Sequence, residues 1–166
     1  DPNFQRTREN GEEFGRAGAS GKMLRTAFRA VLMNSSDSRM VGRLTREMVK
    51  VLQKDEVSER GQRNVIDGDL SLLKGFDFNI NGKLSTTLYA PYSVTLDRVD
   101  GDAIVDIPAF IPANMINAPS GTTHFKIEAA LQYVGGSGRC RPFGQWEISH
   151  RRRFAAISYQ YTSSTP

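Results

Sequence analysis

"SRMVGRLTREMVKVLQK", residues Ser38 to Lys54, sorts its side chains with a period close to 3.6. Val41, Leu44, Met48, Val51 and Leu52 fall on one side of a helix. Arg39, Arg43, Arg46, Lys50 and Lys54 recur at intervals of four, three, four and four. At 100° per residue these cations span about 80°, opposite the apolar row. A helix built this way has to bury its apolar row against neighbouring chain, so its surroundings decide the fold.

Upstream, Phe14, Ala17, Gly21, Leu24, Phe28 and Val31 predict a helix over Gly11 to Met33, with Asn10 as its N-cap and Glu12 and Glu13 as acids of its first turn. Gly15, Gly18 and Gly21 leave two readings open, since each costs about 1 kcal/mol relative to Ala in a helix interior. One is a frayed or looped start with firm helix from about Ser20; the other is a small-residue face approached by another backbone. "NSSDS" (Asn34–Ser38) separates the two helices, and Ser36 or Asp37 can cap the second. "DEVSERGQRNVIDG" (Asp55–Gly68) is polar and irregular and marks a change of regime.

Beyond Gly68 the period falls to two. Phe76, Phe78 and Ile80 alternate with Asp77 and Asn79, and Asn81–Gly82 signals a hairpin turn. Val94 and Leu96, then "IVDI", flank a second turn signal at Asp100–Gly101. Phe110 to Gly121 reads as a loop broken by Pro112, Pro119 and Gly121. In "HFKIEAAL" (His124–Leu131), Phe125, Ile127, Ala129 and Leu131 share one side. The character changes again at Gly135, after which come Cys140, Trp146 and three arginines at 151–153. Ile157, Tyr159 and Tyr161 alternate there as a strand would.

These patterns predict an α+β protein with an N-terminal helical pair over about 11–54. The pair packs on a small antiparallel β-sandwich of about five to seven strands over about 69–134. Residues 1–134 form the single domain, and 135–166 make an atypical basic tail, disordered or adding one hairpin. Apolar residues at 39% and charged residues at 24% fit a globular chain rather than a disordered or fibrous one. The net charge of +4 is uneven. Residues 1–56 hold 11 Lys+Arg against 8 Asp+Glu, 57–134 hold 6 against 9, and 135–166 hold 5 against 1. The basic balance therefore belongs largely to the tail and is weak evidence for a polyanion partner.

One cysteine makes no intrachain disulfide, and no apolar run is long enough to span a membrane. The first residues carry no signal-peptide pattern and no initiator Met, so the expectation is an upstream piece removed, and the location stays open with the cytoplasm slightly favoured.

Three stretches carry a resemblance: "DPNFQRTRENGEEFGRAGASGKMLRTAFRAVLMNSSDSRMVGRLT", "NINGKLSTTLYAPYSVTLDR" and "IPANMINAPSGTTHFKI". Over about Asp1 to Ile127 the chain resembles a family of small, uncharacterised conserved proteins from Bacteroidota. The resemblance implies no assigned activity and no functional residue. The family has a Gly- and Lys-rich β-prone segment ahead of the position of Asp1, and continues past Ile127 with β-sequence of another character. A frameshifted reading from about Gly135 would produce that change.

Candidate sites are few. Asp97, Asp100, Asp102 and Asp106 do not fit a calcium loop, and turn chemistry explains Asp100 and Asp102. His124 and His150 have no ligand partner at zinc spacing. Cys140 lies between Arg139 and Arg141, which favour a reactive thiolate, without a base to make it catalytic. "GASGK" (Gly18–Lys22) lacks the spacing of a phosphate loop. No catalytic residue, cofactor or metal is therefore expected, which argues against an enzyme.

The candidate interaction face is the cation row, with Lys22, Arg25 and Arg29 of the first helix as its extension. A solvated face, or pairing with the acidic β-half of another copy, is favoured over phosphate contact with nucleic acid. The expected function is a non-enzymatic structural or assembly protein that self-associates as a homo-oligomer. A nucleic-acid binder using the second helix is the alternative.

Overall fold

A computed structural model of the chain describes residues 4–33, 35–97, 103–134 and 152–162. Five helices, one 3-10 turn and four strands follow in order among those residues. They are α1 (Gln5–Ala27), α2 (Arg29–Leu32), α3 (Met40–Leu52), the 3-10 turn Leu70–Leu73, α4 (Leu84–Thr87), β1 (Ser93–Leu96), β2 (Ala103–Asp106), α5 (Pro112–Met115), β3 (His124–Val134) and β4 (Arg152–Thr162). The architecture is α+β.

The opening stretch forms α3 and buries four of the five residues predicted for its apolar face. Met40, Leu44, Met48, Val51 and Leu52 of α3 are buried, and Leu44, Val51 and Leu52 are the largest fully buried side chains. Val41, expected on that face, is exposed. Against α3 lies α1 through Ala17, Gly21 and Leu24; a Cβ at Gly21 would meet Leu44 and Met48 at ordinary contact distance. Phe28 joins α1 to α2 and is buried, so the predicted first helix is one path with an irregular joint.

That helix starts earlier than Asn10. Gln5 donates to Glu9 one turn ahead at 3.0 Å, and Asn10 accepts a hydrogen bond from Arg60 instead of capping. Phe14 is exposed at 61%, and Glu13 takes the buried place at this end of α1. Only Gly21 lies at a close approach, against the side chains of Leu44 and Met48, while Gly15 and Gly18 fit neither reading made from sequence. The helix is continuous through them, and a Cβ at Gly11, Gly15 or Gly18 would meet nothing within 4 Å.

Residues 53–68 are irregular but form an ordered strap over the helical pair. The buried Asp55 carboxylate accepts the N–H groups of Val57, Ser58 and Asn64 at 2.9, 3.0 and 2.9 Å. Asn64 continues the scaffold by accepting from Ile66 and Asp67. The strap is fixed to α1 at Glu13, which accepts the Gly61 N–H at 2.8 Å and faces Arg63 at 3.5 Å. Val65 enters the core. Gly68 then passes so close to α3 that a Cβ would lie 2.1 Å from the Val51 carbonyl oxygen.

The strand predicted at Phe76–Ile80 does not form. Phe76 and Phe78 both pack on the helical core, edge to face with centroids 5.1 Å apart, and Phe78 also meets Phe28. The backbone groups a sheet would use are occupied elsewhere: Ile80 N–H donates to Asp37, the Phe78 carbonyl accepts from the Asp37 N–H, and the Asp77 carbonyl accepts from Arg43. Asn79–Gly82 still closes a turn, with Gly82 N–H on the Asn79 carbonyl, but no hairpin flanks it.

The sandwich is likewise not formed among the described residues. Their strands make two separate antiparallel pairs, β1–β2 and β3–β4. The first pairs Val94 with Val105 and Leu96 with Ala103, and the turn predicted at Asp100–Gly101 lies outside the described residues. The second runs eleven residues, His124↔Thr162 to Val134↔Arg152, and so includes part of the segment read as a tail. A single bridge, Leu88↔Ile116, ties the α4 region to the end of α5.

Two predictions test this packing. Leu44→Ala should cost about 2–5 kcal/mol in denaturant unfolding. Gly68→Ala should also destabilise strongly, because the clash is with backbone, whereas Gly15→Ala and Gly18→Ala should each stabilise by up to about 1 kcal/mol. Equal effects at Gly68 and Gly15 would contradict the strap's position.

A further prediction concerns acid. Burial pushes the Asp55 carboxyl up, but the N–H groups of Asn64, Ser58 and Val57 outweigh it and bring the pKa to about 2. With the folded value below the usual 3.8, Asp55 stabilises the fold above about pH 4 and loses that contribution as pH falls toward 2. Asp55→Asn should flatten this part of the stability–pH curve, measured by denaturant unfolding across the window.

Candidate electrostatic interface

The cation row divides into three chemically different parts. Arg43 is half-buried and structural. Its guanidinium pairs with Asp37, donates to the Asp77 carbonyl at 2.7 Å and lies 5.1 Å from the centroid of the Phe76 ring. One side chain thus clamps the turn before α3 to the segment after the 3-10 turn. Burial pushes the Asp37 carboxyl up, but the Ile80 and Arg39 N–H groups and the Arg43 guanidinium together hold it below the usual carboxylate range.

Arg46 and Lys50 share one counter-charge. Glu47 lies 3.3 Å from Arg46 Nε and accepts from Lys50 Nζ at 2.8 Å. The Lys50 hydrogen bond is the main cause of a Glu47 pKa below its ordinary value. Both cations remain exposed, so the pair adds little to stability but reduces the net field of the face.

Arg39 and Lys54 complete the row at either end of α3; both are exposed, and neither takes part in an ion pair among the described residues.

Of the proposed extension, Lys22 and Arg29 are exposed and Arg25 is half-buried. Leu44 and Met48 face Gly21 on α1, and Arg46 and Lys50 lie two residues further, about 200° round α3. Lys22 lies one residue past Gly21, about 100° round α1.

The sequence reading missed the carboxylates that organise this half. Asp37 was legible only as a helix cap, and it serves Arg39 N–H, Ile80 N–H and Arg43 at once. Glu13 was read as a first-turn acid. Asp55 carried no signal beyond opening a polar run.

Other candidate sites gain no support. No group of three or more His, Cys, Asp or Glu able to hold a metal occurs among the described residues. His124 meets Thr123 at 2.9 Å. Asp100, Asp102, Cys140 and His150 lie outside the described residues. Among those described, no helix is long and apolar enough to cross a membrane. No protein-family model, curated protein or solved structure matches this chain.

Charge reversals separate the parts of the row. Arg43→Glu would set a carboxylate against Asp37 and the Asp77 carbonyl, and should cost about 3 kcal/mol or more in denaturant unfolding. Lys50→Glu should change stability by about 1 kcal/mol or less. Similar small effects from both would remove Arg43 from its clamp.

Proposed function

We propose that this chain is a non-enzymatic assembly protein that self-associates through its β-half. One observation supports this reading above the others: among the residues whose side chains are described, which end at Ala130, every buried hydrophobic lies at or before Ala90. Beyond it stand two-stranded ladders with Val94, Ile104, Ile111 and Phe125 exposed. A two-stranded ladder is marginal in water without a third strand or a packed face. Open edges and uncovered apolar residues recruit neighbouring chains. The predicted β-sandwich belongs to the same proposal, as a structure completed by association.

The alternative, nucleic-acid binding by the basic face of α3, draws less support because Arg43 is used internally and Glu47 offsets Arg46 and Lys50. Size-exclusion chromatography with light scattering on the full chain should show an oligomer; a monomer over a broad concentration range would overturn the proposal. Duplex binding should be absent. If the alternative held instead, affinity would fall with salt at a log–log slope of about −0.9 per phosphate contacted, and reversing Arg46 and Lys50 to Glu would weaken it.

A further inference from the structure

Asn–Gly occurs twice in the chain, at Asn10–Gly11 and at Asn81–Gly82. The pair carries a chemistry of its own, because the backbone nitrogen after an asparagine lies within reach of the side-chain amide carbon. Glycine in second place puts no Cβ in the way of that approach and leaves the backbone free to adopt it. Ring closure also needs an N–H that is not held elsewhere, a chain able to rotate, and water. The structure gives the two pairs opposite surroundings.

Asn10 and Gly11 lie inside α1. The Gly11 N–H is taken by the carbonyl four residues back, and helical dihedrals fix the chain on both sides of it. The Asn10 side chain is engaged too, its Oδ1 accepting from Arg60 at 3.1 Å. Asn81 and Gly82 lie between Phe78, which packs on the core, and α4, outside any helix or strand. Asn81 is exposed, and its side-chain amide has no hydrogen-bond partner among the described residues. Ile80 N–H is held by Asp37 at 2.8 Å and Asn81 N–H by the Asn79 side chain at 2.9 Å. The Gly82 N–H reaches the Asn79 carbonyl only at 3.3 Å, longer than the usual 2.7–3.2 Å or so. The chain is thus held up to Asn81 and weakly restrained after it, at the position where the ring closes.

We propose that Asn81 is a site of spontaneous modification, deamidating through a cyclic imide with Gly82, while the fold protects Asn10. The Gly82 nitrogen gives its proton to solvent base and bonds to Asn81 Cγ. The Cγ–Nδ2 bond breaks, and Nδ2 takes up a proton and leaves as ammonia. Water then opens the five-membered ring. Opening at Cγ gives an ordinary aspartate, and opening at the main-chain carbonyl gives a β-linked isoaspartate with one extra carbon in the backbone. Nothing is oxidised or reduced, and the net charge falls by one. The new carboxylate arises one residue after Ile80, whose N–H is bound to the same Asp37 that pairs with Arg43. The modification therefore falls beside the clamp between α3 and the segment after the 3-10 turn.

The test is peptide mapping of the full chain after incubation in mildly alkaline buffer, with fragmentation that separates aspartate from isoaspartate. Both products should accumulate at Asn81, at least about tenfold faster than at Asn10, a ratio equivalent to about 1.4 kcal/mol of local helix opening. In concentrated urea the two sites should react at similar rates, because the difference belongs to the fold. Asn81 unmodified in the folded chain, or Asn10 reacting as fast in the folded chain, would overturn the assignment. Aspartate without isoaspartate at Asn81 would overturn the cyclic route.

Discussion

Leu44, Val51 and Leu52 are the most completely enclosed large side chains described, and the helical half is layered on them. α1 closes over Leu44 at Gly21, where a small residue lets the two helices approach without a clash. The strap closes over Val51 at Gly68, where no side chain would fit at all. Phe28, Phe76 and Phe78 close the remaining side. α3 contributes most because it is the one element with a strictly one-sided apolar row, and everything around it is irregular chain or a helix rich in glycine.

Irregular chain can serve as a wall only if its backbone groups find partners, since a buried amide without one costs about 1–3 kcal/mol. Three carboxylates supply them here. Asp55 takes three N–H groups of the strap, Glu13 takes one where the strap crosses α1, and Asp37 takes one from the segment after Phe78. Arg43 completes the set as the donor for the Asp77 carbonyl. Loops held this way have specific geometry without secondary structure, and their stability depends on ionised acids.

This explains which parts of the fold were legible in the sequence. The α3 face was legible because burial there follows helical period, and so was the alternation from Phe125 to Ala129 that became β3. The Phe76–Ile80 alternation was equally regular and misled. There Phe76 and Phe78 are held by the helical core, and Asp37 and Arg43 occupy the backbone, two facts that depend on residues more than thirty positions away. The cation row shows the same limit. Arg43 keeps the spacing of Arg39, Arg46 and Lys50, and no local feature distinguishes a cation that clamps a loop from one that meets water. Phe14 and Glu13 exchanged their expected roles because the strap, itself silent in the sequence, offers backbone N–H groups to this end of α1 and no apolar cover.

The two halves therefore stand in different thermodynamic positions. The helical half buries its own apolar surface, at about 25 cal/mol per Å², and satisfies its loops internally. The β-half has backbone pairing, but its side chains described between Ser93 and Ala130 include no buried hydrophobic, and its ladders are joined to the helical core at points such as Ala130. Opening of those ladders should cost less than global unfolding, because local stability follows the apolar contacts each segment makes. Any partner that covers Val94, Ile104, Ile111 and Phe125 adds the missing burial to this weaker half alone. Association would then order the ladders without altering the helical core, which links binding to the stability of one half and leaves the other as a fixed platform.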